Sequence, residues 1–256
     1  CMKDRRRQTV RLVENIPFFS IFIMMAGGIV TPLLGGRNRA RVLHLVLVGA
    51  VAVMSGLLLG YTSDGTCFCF MMGHFPAPWG NEIRAGVLEA GMALFFCIIM
   101  LLSLMGGRKK LLGEVEYSKH NLYYILTDLL LSSLLALVYT NDLFTAYVFV
   151  EINTISACGL IMIRQNGRTI EAAVRYMIMS LLGSGLLLVG ISMLYDMTGH
   201  LLMSNIKETV GEIVAQGEFR MPLVVTIGLI CVGLAIKSAL FPFHSWLPDA
   251  YGYSTV

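Results

Sequence analysis

Three ionisable side chains, Asp128, Glu151 and Lys237, lie inside long apolar stretches of this sequence, and chemistry would centre on them. A charge held in hydrocarbon costs several kcal/mol or more, so an ionisable residue deep in such a stretch is a functional candidate by default. Glu151 follows Asp142 by nine residues, which in a helix puts it about 14 Å along its run, too deep to reach water easily. Lys237 stands fifteen residues after Pro222, about 22 Å along its own run. It is followed by Ser-Ala-Leu-Phe-Pro-Phe, not by the polar residues that accompany a snorkelling lysine. The two runs cross in the same direction by parity, so the depth offset of about 8 Å is within reach of two long side chains. Pairing would keep Glu151 ionised and Lys237 protonated, whereas separating them would leave an amine in a medium that favours its neutral form and releases a proton. The bland alternatives are a structural carboxylic acid bonded to a neighbouring helix and a lysine that only sets orientation. Asp128 is either a further relay member or a cap for a neighbouring helix. His244, beyond the apolar run, either passes protons or is a hydrogen-bonded interface histidine, and Asp249 reads as a cap.

The elements that must position these groups are membrane helices. The chain has 256 residues, 56% hydrophobic and 14% charged, with a mean hydropathy of +0.74. Soluble domains carry roughly a quarter charged residues. Crossing a hydrocarbon core of about 30 Å takes roughly 20 apolar residues in a helix. Seven runs meet that need: 17–34, 41–62, 84–105, 121–140, 142–163, 172–195 and 222–241. The first reads as a retained helix and not a signal peptide, because no small-residue cleavage site follows it. The seventh run extends to Leu247 and contains Pro242, which predicts a broken helix of the kind transporters use to expose backbone groups. The stretch 63–83 reads as a polar link, and Leu202, Ile206, Val210, Ile213 and Val214 recur at the spacing of a short interfacial helix. The expected class is an all-α, polytopic membrane bundle, with 1–120 a three-helix segment and 121–256 a second unit carrying the ionisable residues.

Lys and Arg set the expected orientation. The loops after the first, third and fifth runs hold Arg37, Arg39, Arg41, Arg108, Lys109, Lys110, Lys119, Arg164, Arg168 and Arg175, against Arg84, Lys207 and Arg220 in the alternate loops. The richer loops should be cytoplasmic, although the basic N-terminal tail (Lys3, Arg5, Arg6, Arg7 and Arg11) argues the other way.

Other chemistries find no support. The net charge of +3 is spread over inter-helix loops and gives no nucleic-acid footprint. Cys97, Cys158 and Cys231 lie within apolar runs and imply no disulfide framework. Cys67 and Cys69 with His74 fall short of the usual four zinc ligands, so no metal is assigned. The five histidines are placed at or beyond helix ends, which argues against haem, and no cofactor or quinone site is assigned. Hydrolase and phosphate-binding motifs are absent, and the scattered methionines read as core filler.

Two stretches carry a resemblance. YTNDLFTAYVFVE at 139–151 and GLAIKSALFPFHSWLPDA at 233–250 resemble the proton-conducting subunits shared by respiratory complex I, multisubunit cation/proton antiporters and membrane-bound hydrogenases. That family places an essential glutamate on its fifth helix and a lysine on its broken seventh, positions that match Glu151 and Lys237. The resemblance implies a fold of about fourteen helices with two inverted five-helix repeats, the first from the fourth to the eighth helix. This sequence would hold the first half only, either as a fragment of a longer chain or with the remaining helices arriving on a separate polypeptide. The implied function is translocation of H⁺ or Na⁺ beside other membrane subunits in the lipid bilayer, with redox chemistry in those partners. A membrane anchor without its own ion path and a self-sufficient antiporter are the competing readings.

Overall fold

The computed structural model describes residues 13–33, 37–65, 67–71, 81–217 and 219–254. The basic tail, His74 and the Gly35-Gly36 turn lie outside the described residues. Among the described residues, seven helices are long and apolar enough to cross a membrane. They are α1 (Ile16–Val30), α2 (Arg37–Thr62), α3 (Val87–Gly106), α5 (His120–Tyr139), α6 (Leu143–Ile161), α7 (Gly167–Thr198) and α9 (Arg220–Lys237). Three shorter helices lie between or after them: α4 (Arg108–Glu114), α8 (Met203–Gln216) and α10 (Leu247–Tyr253). The class expected from composition is therefore observed.

Local chemistry sets many of the ends. Pro17 occupies the first turn of α1, where its missing N–H costs nothing. Asp142 caps α6 by accepting from the Thr145 amide at 2.6 Å. Asn166 and Thr169 form a reciprocal capping box at the start of α7. Gly199 and Gly217 close α7 and α8 with left-handed φ values of 68° and 73°, which a side chain would resist.

Two groups of helices pack side by side. α1 lies on α5 and α2 on α3, and together they enclose a core that includes Met24, Val48, Val51, Leu58, Leu131 and Tyr139. α6 packs on α5, α7 on α6, and α9 against α7. That last contact runs backbone to backbone: a Cβ added at Gly233 would meet the Gly183 carbonyl oxygen at 2.7 Å and the Leu187 amide at 2.9 Å. Small residues that let helices approach this closely are a membrane packing device.

Each membrane face is tied by polar contacts. On the face carrying the ten cationic positions, Arg164 pairs with Glu114 at 3.5 Å, Lys119 bonds Gln165 at 2.7 Å, and Arg175 pairs with Asp249 at 2.8 Å. On the other face, the 63–83 stretch holds more than a polar link. Its end joins a hairpin, β1 (Phe68–Met71) antiparallel to β2 (Glu82–Ala85), with Phe68 opposite Ala85 and Met71 opposite Glu82. The Asn141 amide donates to the Glu82 carbonyl at 2.9 Å, and the Met203 amide to the Asn141 carbonyl at 2.8 Å, so hairpin, α5–α6 turn and α8 are stitched together. The short interfacial helix expected over Leu202 to Val214 is α8.

Two boundaries differ from the sequence reading. α9 stops at Lys237, five residues before Pro242, because Ala239 turns into the left-handed region at φ 53°. His44 is not at a helix end. α2 begins at Arg37, so His44 is the eighth residue of that helix and fully buried. The first turns of α2 carry Arg37, Asn38, Arg39 and Arg41, polar residues that hide them from a search for apolar runs.

Cys67 and Cys69 are on the surface hairpin. Among the described residues, no group of three His, Cys, Asp or Glu could hold a metal ion. Partial burial, together with a hydrogen bond to the Glu82 carboxylate, pushes the Cys69 thiol above its usual range. Glu82→Gln is expected to bring it back down and to speed alkylation of Cys69 at mildly alkaline pH several-fold. Mass spectrometry of iodoacetamide-treated protein reads this directly, and an unchanged rate would remove Glu82 as a cause.

Candidate functional site

α9 ends on the candidate lysine, Lys237. Lys237 occupies the last turn, where the partial negative charge of the helix C-terminus favours a cation by about 0.3–1 kcal/mol. Beyond it the chain leaves helical geometry. The Ile236 carbonyl accepts from the Ala239 amide at 3.3 Å and from the Trp246 indole at 3.3 Å, and the Leu240 amide reaches back to the Ala235 carbonyl at 2.9 Å. The break is thus closed by defined hydrogen bonds, and the amine is held at a fixed place.

That place is opposite Glu151. Lys237 Nζ donates to Glu151 Oε1 at 2.8 Å, to Ser180 Oγ at 3.0 Å and to Thr154 Oγ1 at 3.2 Å. An ammonium has three N–H donors, and all three are used. The side chains of Lys237 and Glu151 are 10% and 22% exposed, so the pair is largely removed from solvent without being sealed. The same Glu151 oxygen also accepts from the Ser184 hydroxyl in a short hydrogen bond.

The periodicity of three helices brings these groups together. Glu151 and Thr154 are three apart on α6, and Ser180 and Ser184 are four apart on α7, so each pair shares a face. Lys237 is four residues after Gly233, the residue that brings α9 against α7. The Ser180 hydroxyl also donates to Thr154 at 3.3 Å, which closes the ring of hydroxyls around the amine. A buried ion pair resists its desolvation cost only when its remaining polar atoms are bonded, and this cluster meets that condition for the lysine. It can hold a proton on nitrogen, with a carboxylate beside it and hydroxyls able to rotate between donor and acceptor.

Of the residues singled out in the sequence, Glu151 and Lys237 come together and the others do not. His244 sits past the break, exposed, with its ring 5.7 Å from Phe241 and no hydrogen bond to the cluster. Asp128 is fully buried and pairs with His44 on α2. Asp249 opens α10 and pairs with Arg175. The hydroxyls of Thr154, Ser180 and Ser184 were missed. Their signal is present but weak: a serine pair one turn apart inside an apolar run, and a threonine three residues after the glutamate. A cavity of about 430 Å³ lies beside α6, lined by Thr127, Asn153, Tyr176 and Trp246 among others; none of the cluster residues lines it, but Tyr176 hydrogen-bonds Thr154.

Residues 140–256 match the family described as NADH:quinone oxidoreductase/Mrp antiporter, TM. The chain is 32% identical over 250 residues to the NADH-quinone oxidoreductase subunit N of Desulforudis audaxviator, covering 96% of this chain and 48% of that protein. Its fold matches a chain of the membrane-bound sulfane sulfur reductase, an archaeal respiratory membrane complex, with a TM-score of 0.80 at 24% identity, over 96% of this chain and 48% of the other. It also matches a chain of the Mrp complex from Dietzia with a TM-score of 0.78 at 22% identity, over 95% and 44% of the two chains. The chain spans about half the length, or less, of the curated relatives it matches. The glutamate–lysine cluster lies at the junction of α6, α7 and α9, inside residues 140–256, the part of the chain that belongs to the NADH:quinone oxidoreductase/Mrp antiporter transmembrane family.

Proposed function

We propose that this chain forms part of a path for proton, or sodium/proton, translocation across the membrane. Lys237 is the site that carries the proton and Glu151 the counter-charge that holds it there. The observation that carries this reading is the saturation of the Lys237 amine, which spends all three donors inside the membrane on Glu151, Thr154 and Ser180. An orientation-setting lysine would spend them on water. When α9 or α7 shifts, the amine loses its carboxylate. In a poorly hydrated site the neutral amine is then favoured and the proton moves on. The hydroxyls of Ser180 and Ser184 offer donors and acceptors for that transfer. His244, exposed beyond the break, is the next titratable group along the chain toward whatever completes the path.

The chain acts beside other membrane subunits, which supply any redox chemistry. Residues 1–120 serve as the flanking three-helix segment, and 121–256 as the beginning of the ion-conducting unit. Flux measured in proteoliposomes with the smallest assembly containing the chain tests the reading. Glu151→Gln keeps the shape and the hydrogen bonds but removes the charge. A charge-assisted hydrogen bond contributes about 1.5–3 kcal/mol, so roughly a tenfold loss of flux is expected. Unchanged flux would instead make the chain an anchor.

A further inference from the structure

We propose that His44 and Asp128 form a second proton-binding site, distinct from the Lys237 cluster, buried between α2 and α5 and taking up one proton per pair. His44 Nδ1 and Asp128 Oδ1 are joined by a short hydrogen bond, and both side chains are 0% exposed. The pair does not use up its polar atoms. His44 Nε2 and Asp128 Oδ2 are both buried without a hydrogen-bond partner. With the Nδ1 proton donated to the carboxylate, Nε2 is a bare acceptor and Oδ2 is another. A purely structural pair is expected to satisfy such atoms, since each buried exception carries a cost of about 1–3 kcal/mol. Two acceptors without a donor are one proton short. A proton placed on Nε2 converts the imidazole to imidazolium, takes the pair from one net negative charge to none, and breaks no other bond.

The surroundings favour a site that exchanges its proton. His44 is seven residues from the start of α2 and Asp128 eight from the start of α5, so both lie about 10–12 Å into the membrane from the same, cation-rich face. Gly27 of α1 packs directly against the carboxylate: a Cβ there would stand 3.4 Å from Asp128 Oδ2. Gly27 also lines an apolar groove of about 220 Å³ between α1 and α2, bounded by Phe22, Leu43 and Leu47. The unpartnered oxygen therefore lies against the backbone of a residue that also lines the groove. Few other titratable groups face the pair. On α5, Tyr124 has its ring 5.6 Å from the imidazole. On α2, Arg41 lies one turn before His44, and α1 carries no titratable residue. On α3, Glu89 and Cys97 act on Tyr139, at the far end of α5. Toward the cation-rich face, a layer of Ala40, Leu104, Leu111 and Tyr124 comes before the Glu114–Arg164 pair.

The test is infrared difference spectroscopy of the full chain in detergent, titrated from mildly acid to mildly alkaline pH. A protonation change with carboxyl and imidazole components is expected, lost together in Asp128→Asn and His44→Gln and retained in Lys237→Ala. If the unsubstituted chain gives no such change, or gives one that both variants keep, the pair is a fixed polar staple and the proposal fails. Should either variant not fold, ¹⁵N spectra of labelled histidines in the unsubstituted chain decide. A buried ring that changes protonation state over the titration supports the site, and one locked in a single state overturns it.

Discussion

Replacing Lys237 by alanine is expected to reduce ion flux through any assembly containing this chain to the background leak while the chain remains folded in the membrane. The substitution deletes the amine and its three hydrogen bonds at once. Stranding the partner of a buried ion pair ordinarily costs about 3–5 kcal/mol. Glu151 escapes most of that cost, because its side chain is 22% exposed and can take up a proton to become a neutral acid beside Ser184. The variant should therefore lose transport with only a modest loss of thermal stability. Flux in proteoliposomes and a melting curve on the same preparation separate the two effects. Lys237→Arg is the informative companion. It keeps the charge, but its planar fork cannot place three donors on Glu151, Thr154 and Ser180 as a compact ammonium does, so intermediate flux is expected. Full flux in the alanine variant would leave the anchor reading standing.

Gly233→Val should damage transport almost as severely without touching an ionisable residue. The new side chain would have to occupy space where Gly183 and Leu187 present backbone, at 2.7 and 2.9 Å from the added Cβ, and backbone cannot rotate aside as a flexible side chain can. α9 must retreat from α7. Lys237, one turn further along the same face, retreats with it and loses Ser180 first, at 3.0 Å, and then Glu151. Overpacking of this kind costs about 1–3 kcal/mol. Gly228 offers a matched control on the same helix, because an added Cβ there meets nothing within 4 Å and Gly228→Ala should be silent. Normal flux and stability in Gly233→Val would show that the glycine contact does not set the position of the amine.

The seven spans were legible because twenty apolar residues in a row have few other fates. The Glu151–Lys237 pairing was legible because depth along a helix follows from residue counts. What encloses the pair was not. Ser180, Ser184 and Thr154 are small polar residues of a kind that membrane helices tolerate anywhere, and only the packing of α7 against α6 and α9 turns them toward one amine. The end of α9 was misplaced for a similar reason. Pro242 is an obvious breaker, but the helix yields earlier, at Ala239, whose left-handed φ has no mark in its residue type. His44 escaped because the polar first turns of α2 resemble a loop, and its partner Asp128 is 84 residues away. The hairpin escaped because strands of four residues carry too little alternation to register beside long helices.

α7 has 32 residues and is about 48 Å long, whereas α6 and α9, with 19 and 18 residues, are each about 28 Å long. The latter two match the hydrocarbon thickness of a bilayer, and α7 exceeds it. Such a helix accommodates by leaning or by protruding, and how far it leans depends on the acyl chains around it. Ser180 and Ser184 ride on the mismatched helix, and Glu151 and Lys237 on the matched ones. A thicker or thinner bilayer is therefore expected to shift the hydroxyls relative to the ion pair, so that flux should depend on lipid chain length, a variable that no side chain in the site encodes.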